Sequence, residues 1–279
     1  MKLRSLVAIA LIAALSLVLA AAASAAPAWA PASSAPIHPG VMTFTGGGQC
    51  TSNFVFFDAA SNVYIGQAAH CSSTSGPDET NGCLAGSLPD GTQVEVDGAS
   101  RPGTMVYNSW NAMKRAGDDR DSDSDACWYN DFALVRLDPA DAGKVNPSVP
   151  HWGGPNGLGD ATAETEDVFS YGNSSLRGGV TTLSPKRGKS LGTDSGGWNH
   201  TVYTVTPGIP GDSGSGFLDS SGKAFGVLST VALALLPASN GVGDLAHELV
   251  YMRAHSQFSD VQLANGTVPF NGGRLPVGG

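Results

Sequence analysis

Charged side chains are scarce in this 279-residue chain: Asp, Glu, Lys and Arg together make up 14% of it. That scarcity argues against long, solvent-laced surface helices. Basic charge is scarcer still, with 15 Lys and Arg against 24 Asp and Glu. A nucleic-acid partner is not expected, because phosphate binding needs a basic face. Cysteine is limited to four residues, and no Cys-x-x-Cys or paired-His spacing occurs, which argues against a zinc site. After the first segment there is no second apolar run of membrane-spanning length. There is also no alternation of strand-like and helix-like runs, so a parallel α/β sheet is not expected.

Glycine is abundant, at 37 positions, and 41% of residues are hydrophobic. The pattern points to a globular chain of many short strands joined by tight turns, long enough for one large domain or two small lobes. The chain opens with Lys2 and Arg4, continues as "LVAIALIAALSLVLAAAA" and ends in the small residues "SAAPAWA". This reads as a secretory signal peptide over residues 1–30, with Ala-x-Ala-like cleavage options near Ala25 to Ala30. An uncleaved membrane anchor is the competing reading. Loss of Lys2 and Arg4 makes the mature chain still more acidic, which supports solubility outside the cell. The expected setting is therefore secreted and extracellular, with no membrane contact after cleavage. Residues 31–48 are rich in Pro, Ala, Ser and Gly, and read as an N-terminal arm or a short pro-segment. In an exported chain the even set Cys50, Cys71, Cys83 and Cys127 argues for two disulfides.

From residue 49 onward, strand-like runs follow one another. "SNFVFFDAASNVYIGQAAH" reads as two strands around a turn, "TQVEVDG" alternates with a period of two, and "DFALVRLD" stops at Pro139. "DVFSYG", "HTVYTVTPG" and "KAFGVLST" follow at intervals. One helix stands out near the end, in "VGDLAHELVYMRAHS", with Leu245, Leu249 and Met252 on one face and Asp244 as its cap. The acidic run "DDRDSDSDAC" lacks the Gly and terminal Glu of an EF-hand loop, and is expected to be a solvated surface loop without a metal.

Three local motifs carry chemistry. "QAAHC" places His70 after a strand and beside a cysteine. "YNDFALVRL" places Asp131 at the head of an apolar strand, where a carboxylate is costly to bury unless it is hydrogen-bonded. "PGDSGSGF" sets Ser213 between glycines that let the backbone turn tightly and expose successive N–H groups. In the order His, Asp, Ser, with "AAHC", "NDFALV" and "GDSGSG", the chain resembles chymotrypsin-fold serine peptidases of the secreted bacterial kind. The resemblance runs from about Thr43 to the end of the C-terminal helix.

The resemblance implies an all-β fold of two antiparallel six-stranded β-barrels with the active site in the cleft between them, and a short C-terminal helix. The peptidase domain would span 49–279, with its lobe boundary near 140–165. It implies His70 as general base, Asp131 as its orienting partner and Ser213 as nucleophile, with the N–H groups of Gly211 and Ser213 as oxyanion hole. Cys50 would bond Cys71, leaving Cys83 to Cys127. Pro207, six residues before Ser213, would lie at the floor of the main pocket. It is not a carboxylate, so a preference for Lys or Arg is not expected. Leu228, Ser229 and Thr230 would form the strand that pairs with substrate. Val231, where many relatives keep Gly, would narrow the pocket toward small or medium apolar side chains. No Ile-Val-Gly-Gly start occurs, so Asp212 needs a partner other than a freshly cut N-terminus, and the sequence does not identify it. The expected activity is endopeptidase cleavage of a polypeptide substrate by a monomer without cofactor or metal.

Two other readings remain. One is a catalytically inert homologue that only binds. The other is an α/β-hydrolase esterase, which needs Gly-x-Ser-x-Gly and the order Ser, Asp, His; Ser215 and the upstream His70 fit it poorly. A second Asp-Ser-Gly triplet, in "GTDSGGW", precedes the strand that leads into the Ser213 loop. It is expected to be a turn between strands, with Asp194 and Ser195 suited to turn hydrogen bonds.

Overall fold

The computed structural model describes residues 26–76, 79–231 and 238–276; the side chain of Val231 is not among them. Of the expected signal peptide, only Ala26–Ala30 lie within the described residues.

Runs of aromatic and β-branched residues between Gly, Asn and Asp turns produce short strands throughout. The first lobe takes β1 (Met42–Thr45), β2 (Gly48–Thr51), β3 (Val55–Phe57), β4 (Val63–Gln67), β5 (Gln93–Val96), β6 (Gly103–Asn108) and β7 (Ala133–Arg136). The second takes β8 (Glu164–Tyr171), β9 (Pro185–Asp194), β10 (Asn199–Thr204), β11 (Gly216–Leu218), β12 (Ala224–Val231) and β13 (Asn240–Asp244). The six strands of the second lobe close into a barrel in the order β10-β13-β12-β11-β8-β9.

The first lobe is an eight-stranded sheet in the order β14-β3-β4-β7-β6-β5-β1-β2, with β14 (Gln262–Leu263) supplied by the end of the chain. It exceeds six strands for two reasons. A tight turn at Gly46 and Gly47, both at positive φ, folds β1 back on β2. The C-terminal strand β14 then pairs with β3. Its inner face is apolar, with Val55, Phe57, Ile65, Val94, Met105 and Val135 buried together. A second cluster joins Phe54, Phe132, Trp152, Phe169, Leu218 and Leu249, and so spans both lobes.

Three α-helices complete the described chain. Alongside α1 (Ser109–Ala116) and α2 (Asp125–Tyr129), the terminal α3 (Leu245–His255) buries Leu245, Leu249 and Met252. Its cap is Asp244, whose carboxylate accepts the His247 N–H at 2.7 Å. The sequence pattern did not single out α1, because it is only eight residues long. Its cap explains it: the Asn108 side chain accepts from the Trp110 and Asn111 N–H groups at 2.9 and 3.2 Å. The acidic run is divided between a short 3-10 turn at Asp118–Arg120 and the start of α2.

The segment before β1 is packed against the first lobe. Ala30 N–H donates to Val145 O at 2.9 Å, Ile37 bridges Val145, and the Trp29 ring lies edge-on to Phe57 at 6.3 Å. Ile37 has no exposed surface. Ile37→Ala is expected to cost about 2–5 kcal/mol of stability, as removal of a buried aliphatic side chain does. Urea unfolding checks this; an unchanged midpoint would mean that the arm contributes nothing to the fold.

Candidate active site

Asp131 stands at the head of β7 and is 2% exposed. A carboxylate so buried needs donors, and the fold supplies them from separate segments. The turn Ala69–Ser72 presents two: His70 N–H donates to Asp131 Oδ1 at 2.8 Å, and His70 Nδ1 to Asp131 Oδ2 at 2.7 Å. The third comes from β12, where the Ser229 hydroxyl donates to Oδ2 at 2.6 Å. Ala69 N–H also bonds the Asp131 carbonyl at 3.1 Å. The turn and the head of β7 are thereby locked together. With Nδ1–H committed to the carboxylate, the imidazole leaves Nε2 as a free lone pair. Burial disfavours the charged ring. The adjacent Asp131 outweighs this by charge and hydrogen bond, and holds His70 above its ordinary value of 6.5.

Disulfide Cys50–Cys71 ties β2 to the turn that carries His70, and Cys83–Cys127 fastens α2 just ahead of Asp131. Cys50, His70 and Cys71 bring ligand-type atoms within 4.8 Å of one another. Both sulfurs are held in the disulfide, so they offer no thiolate to a metal.

The Ser213 loop docks on the first lobe from the other side. Thr51 N–H donates to the Ser213 carbonyl at 2.8 Å, and the Thr51 hydroxyl to the Gly211 carbonyl at 2.7 Å. At Gly214, with φ +85°, a Cβ would sit 2.7 Å from Thr51 O and 2.8 Å from Ala68 N. Only glycine allows the loop this close to the residues preceding His70. Gly211 also takes a positive φ, of +94°. Around it, Asp212 N–H bonds Ile209 O, Gly214 N–H bonds Leu228 O, and Ser215 N–H bonds Asp212 O. Among the described residues the N–H groups of Gly211 and Ser213 have no acceptor. The loop thus holds two neighbouring donors free. No hydrogen bond joins Ser213 Oγ to His70 in this structure, and such bonds are commonly long until substrate is bound.

The partner of Asp212 is a pair of cations. Arg177 grips both carboxylate oxygens, with Nη2 to Oδ2 at 2.6 Å, and the Lys186 ammonium lies 3.1 Å from Oδ2. Lys186 is fully buried and donates to the Thr206 and Pro207 carbonyls, each at 2.9 Å. Burial lowers its affinity for the proton, Asp212 raises it, and the net shift is downward. One ammonium therefore ties the Ser213 loop to the segment around Pro207.

The remaining expected substrate positions separate. Pro207 is exposed, with its carbonyl turned to Lys186. Leu228 is used by the protein itself: its N–H bonds Ser215 O, its carbonyl accepts from Gly214, and its side chain lies in the barrel core. β11 pairs with β12 only as far as Val227, so at Ser229 and Thr230 that edge has no neighbouring strand among the described residues. The Val231 side chain, and with it the expected narrowing of the pocket, lies outside the described residues.

The second triplet falls in the turn between β9 and β10. Asp194 accepts from the Asn199 side-chain amide at 2.8 Å and the Thr201 hydroxyl at 3.1 Å, and Ser195 has φ +50°. Its surroundings are those of a hairpin turn.

Arg177 and Lys186 were not identified as site residues from sequence, and Ser229 was expected only in the substrate strand, not as a donor to Asp131. Asp212→Asn would leave Arg177 and Lys186 as buried cations without their carboxylate. It is expected to cost about 3–5 kcal/mol, read by urea unfolding; a loss under about 1 kcal/mol would show the pair to be dispensable.

No family model and no curated protein matches this sequence. Solved structures do. Thermobifida fusca protease A aligns over 82% of this chain and 99% of its own, at 18% identity and a TM-score of 0.53. The Nocardiopsis protease aligns over 81% and 98%, at 16% identity and a TM-score of 0.49. At such identity the likeness is one of architecture: the chain has the two-lobed chymotrypsin fold found in bacterial serine proteases.

Proposed function

We propose that this protein is a secreted serine endopeptidase that works through Ser213, His70 and Asp131. The observation that carries the reading is the half-buried His70 held at 2.7 Å on the buried Asp131, with a Ser213 loop packed against the residues before His70 and presenting two free N–H groups. In the first half-reaction His70 Nε2 takes the proton of Ser213 Oγ as that oxygen attacks the scissile carbonyl. Asp131 holds the Nδ1–H and stabilises the imidazolium. The new oxyanion is held by the Gly211 and Ser213 N–H groups, each such donor being worth about 100- to 1000-fold in rate. His70 then passes its proton to the leaving amine, and the acyl group remains on Ser213. Water, deprotonated by the same imidazole, attacks the acyl carbon, and the imidazolium returns that proton to Ser213 Oγ as the ester bond breaks and the acid leaves. The free edge at Ser229 and Thr230 would take the substrate backbone as an added strand.

Selectivity against Lys and Arg is supported by the charge beneath Pro207. The Asp212 carboxylate is paired with Arg177, and the buried Lys186, also beside Asp212, bonds the Thr206 and Pro207 carbonyls. A cationic side chain entering there meets like charge. The proposed preference is for small or medium apolar side chains. Export is supported by the two disulfides, which persist in oxidising compartments.

Cleavage of a peptide library tests both levels of this reading. Uncharged residues should dominate at the cleaved position; dominance of Arg or Lys there would overturn the pocket assignment. Ser213→Ala should lower kcat by about ten-thousandfold or more. An inert homologue would show no cleavage in either form.

The acid limb of kcat/KM follows from His70. The base works only when neutral, and Asp131 raises its pKa, so activity should rise with pH through a midpoint above 6.5. The same shift makes the charged ring stabilising only at low pH, and that contribution is lost as pH rises through the raised value. A midpoint below 6, or a flat profile from about pH 5 to 8, would contradict His70 as base.

A further inference from the structure

One buried acid lies directly behind the triad. Glu248, in the first turn of α3, is fully buried, and its Oε1 accepts the main-chain N–H of Asp131 at 3.1 Å. This bond adds the one main-chain contact that the His70 turn and Ser229 do not supply. It anchors the backbone from which the Asp131 carboxylate projects. Its other oxygen, Oε2, is buried and without a hydrogen-bond partner in this structure, as is the nearby Tyr107 hydroxyl on β6. Among the described residues no cation pairs with Glu248. The charged groups that bear on it are Asp131 and Asp244, both acidic. Asp244 is itself bonded to His200 and His247, at 2.8 Å each. Space around the carboxyl is tight: a Cβ on Gly243 would lie 2.7 Å from Oε1 and 2.8 Å from the Tyr129 carbonyl.

We propose that Glu248 is a positioning residue that works as a neutral acid, its carbonyl oxygen holding the Asp131 N–H so that the carboxylate orienting His70 stays in register, without a second negative charge behind the pair. The chemistry of the setting supports the neutral form. Burial and the Asp131 charge push the Glu248 carboxyl well above its ordinary range. The Asp131 N–H bond opposes this, and Asp244 adds to it. A neutral carboxyl still accepts at its carbonyl oxygen, so the anchor does not require ionisation. An ionised Glu248 would act on His70 as a second anion, raising its pKa beyond what Asp131 alone produces.

The inference rests on the Ser213–His70–Asp131 reading for its kinetic effect, and the test separates the two. Glu248→Gln keeps the length and the acceptor oxygen without a titrating proton. It should leave kcat/KM within about threefold of wild type and the acid limb in place. Glu248→Met keeps the length and removes the acceptor. It should lower kcat about tenfold or more at unchanged KM, because a misplaced orienting group costs rate rather than binding. A downward move of the Gln variant's acid limb by about half a unit or more would mean that Glu248 is ionised in the native protein, and would overturn the proposal. A folded Met variant with wild-type kcat and pH profile would reduce Glu248 to a structural role, and would also overturn it. Infrared difference spectra of wild type against the Gln variant at neutral pH give a readout independent of activity. A protonated-carboxyl band lost in the variant supports the proposal, and its absence contradicts it. Should wild type fail to cleave any peptide, the peptidase reading falls, while the infrared result still decides the state of Glu248.

Discussion

Everything in the site depends on keeping one carboxylate ionised while it is buried. Asp131 is 2% exposed, and an unpartnered charge at that depth would cost several kcal/mol. It is held instead by the His70 main chain, the His70 ring and the Ser229 hydroxyl. Those donors come from the first sheet and from the barrel. Satisfying Asp131 therefore fixes how the two lobes meet. The imidazole, caught between the carboxylate and the cleft, has its tautomer and orientation set by the same bonds.

The Ser213 loop repeats the solution with different chemistry. Asp212 is also fully buried, and its charge is met chiefly by Arg177 and Lys186, with the Ile209 N–H as a neutral donor to Oδ2 at 3.2 Å. Two cations on one carboxylate leave a positive charge, which Lys186 disperses into the Thr206 and Pro207 carbonyls. The Ser213 loop and the segment around Pro207 are thus fastened by one side chain. Glycine completes the fit: at Gly214 no side chain has room between Thr51 O and Ala68 N.

What could be read from sequence was local. His70, Asp131 and Ser213 each sit in a short pattern that marks them as candidates, and the Asp244 cap and the Leu245, Leu249, Met252 face show in the same local way. What could not be read was brought together over long separations. Arg177 and Lys186 lie 35 and 26 residues before Asp212, and Glu248 lies 117 residues after Asp131. No local pattern marks a lysine as buried when its acceptors are carbonyls of a distant loop, here Thr206 and Pro207 just after β10. β9 escaped for a related reason. "PKRGKSLGTD" is polar and broken by glycine, yet Gly188 is needed because a Cβ there would lie 1.7 Å from Tyr203 O. The eight-stranded first sheet likewise depends on a C-terminal pair of residues finding β3 across the chain.

The two Asp-Ser-Gly triplets show how surroundings assign chemistry to identical letters. At Ser195 the aspartate spends its oxygens on Asn199 and Thr201, closing a hairpin. At Ser213 the aspartate is neutralised by buried cations, and the loop's N–H groups are left free. Peptide mapping of the protein after reaction with a fluorophosphonate decides between them most directly. The account predicts a single adduct, on the peptide containing Ser213. An adduct on the peptide containing Ser195, or equal labelling after Ser213→Ala, would contradict it.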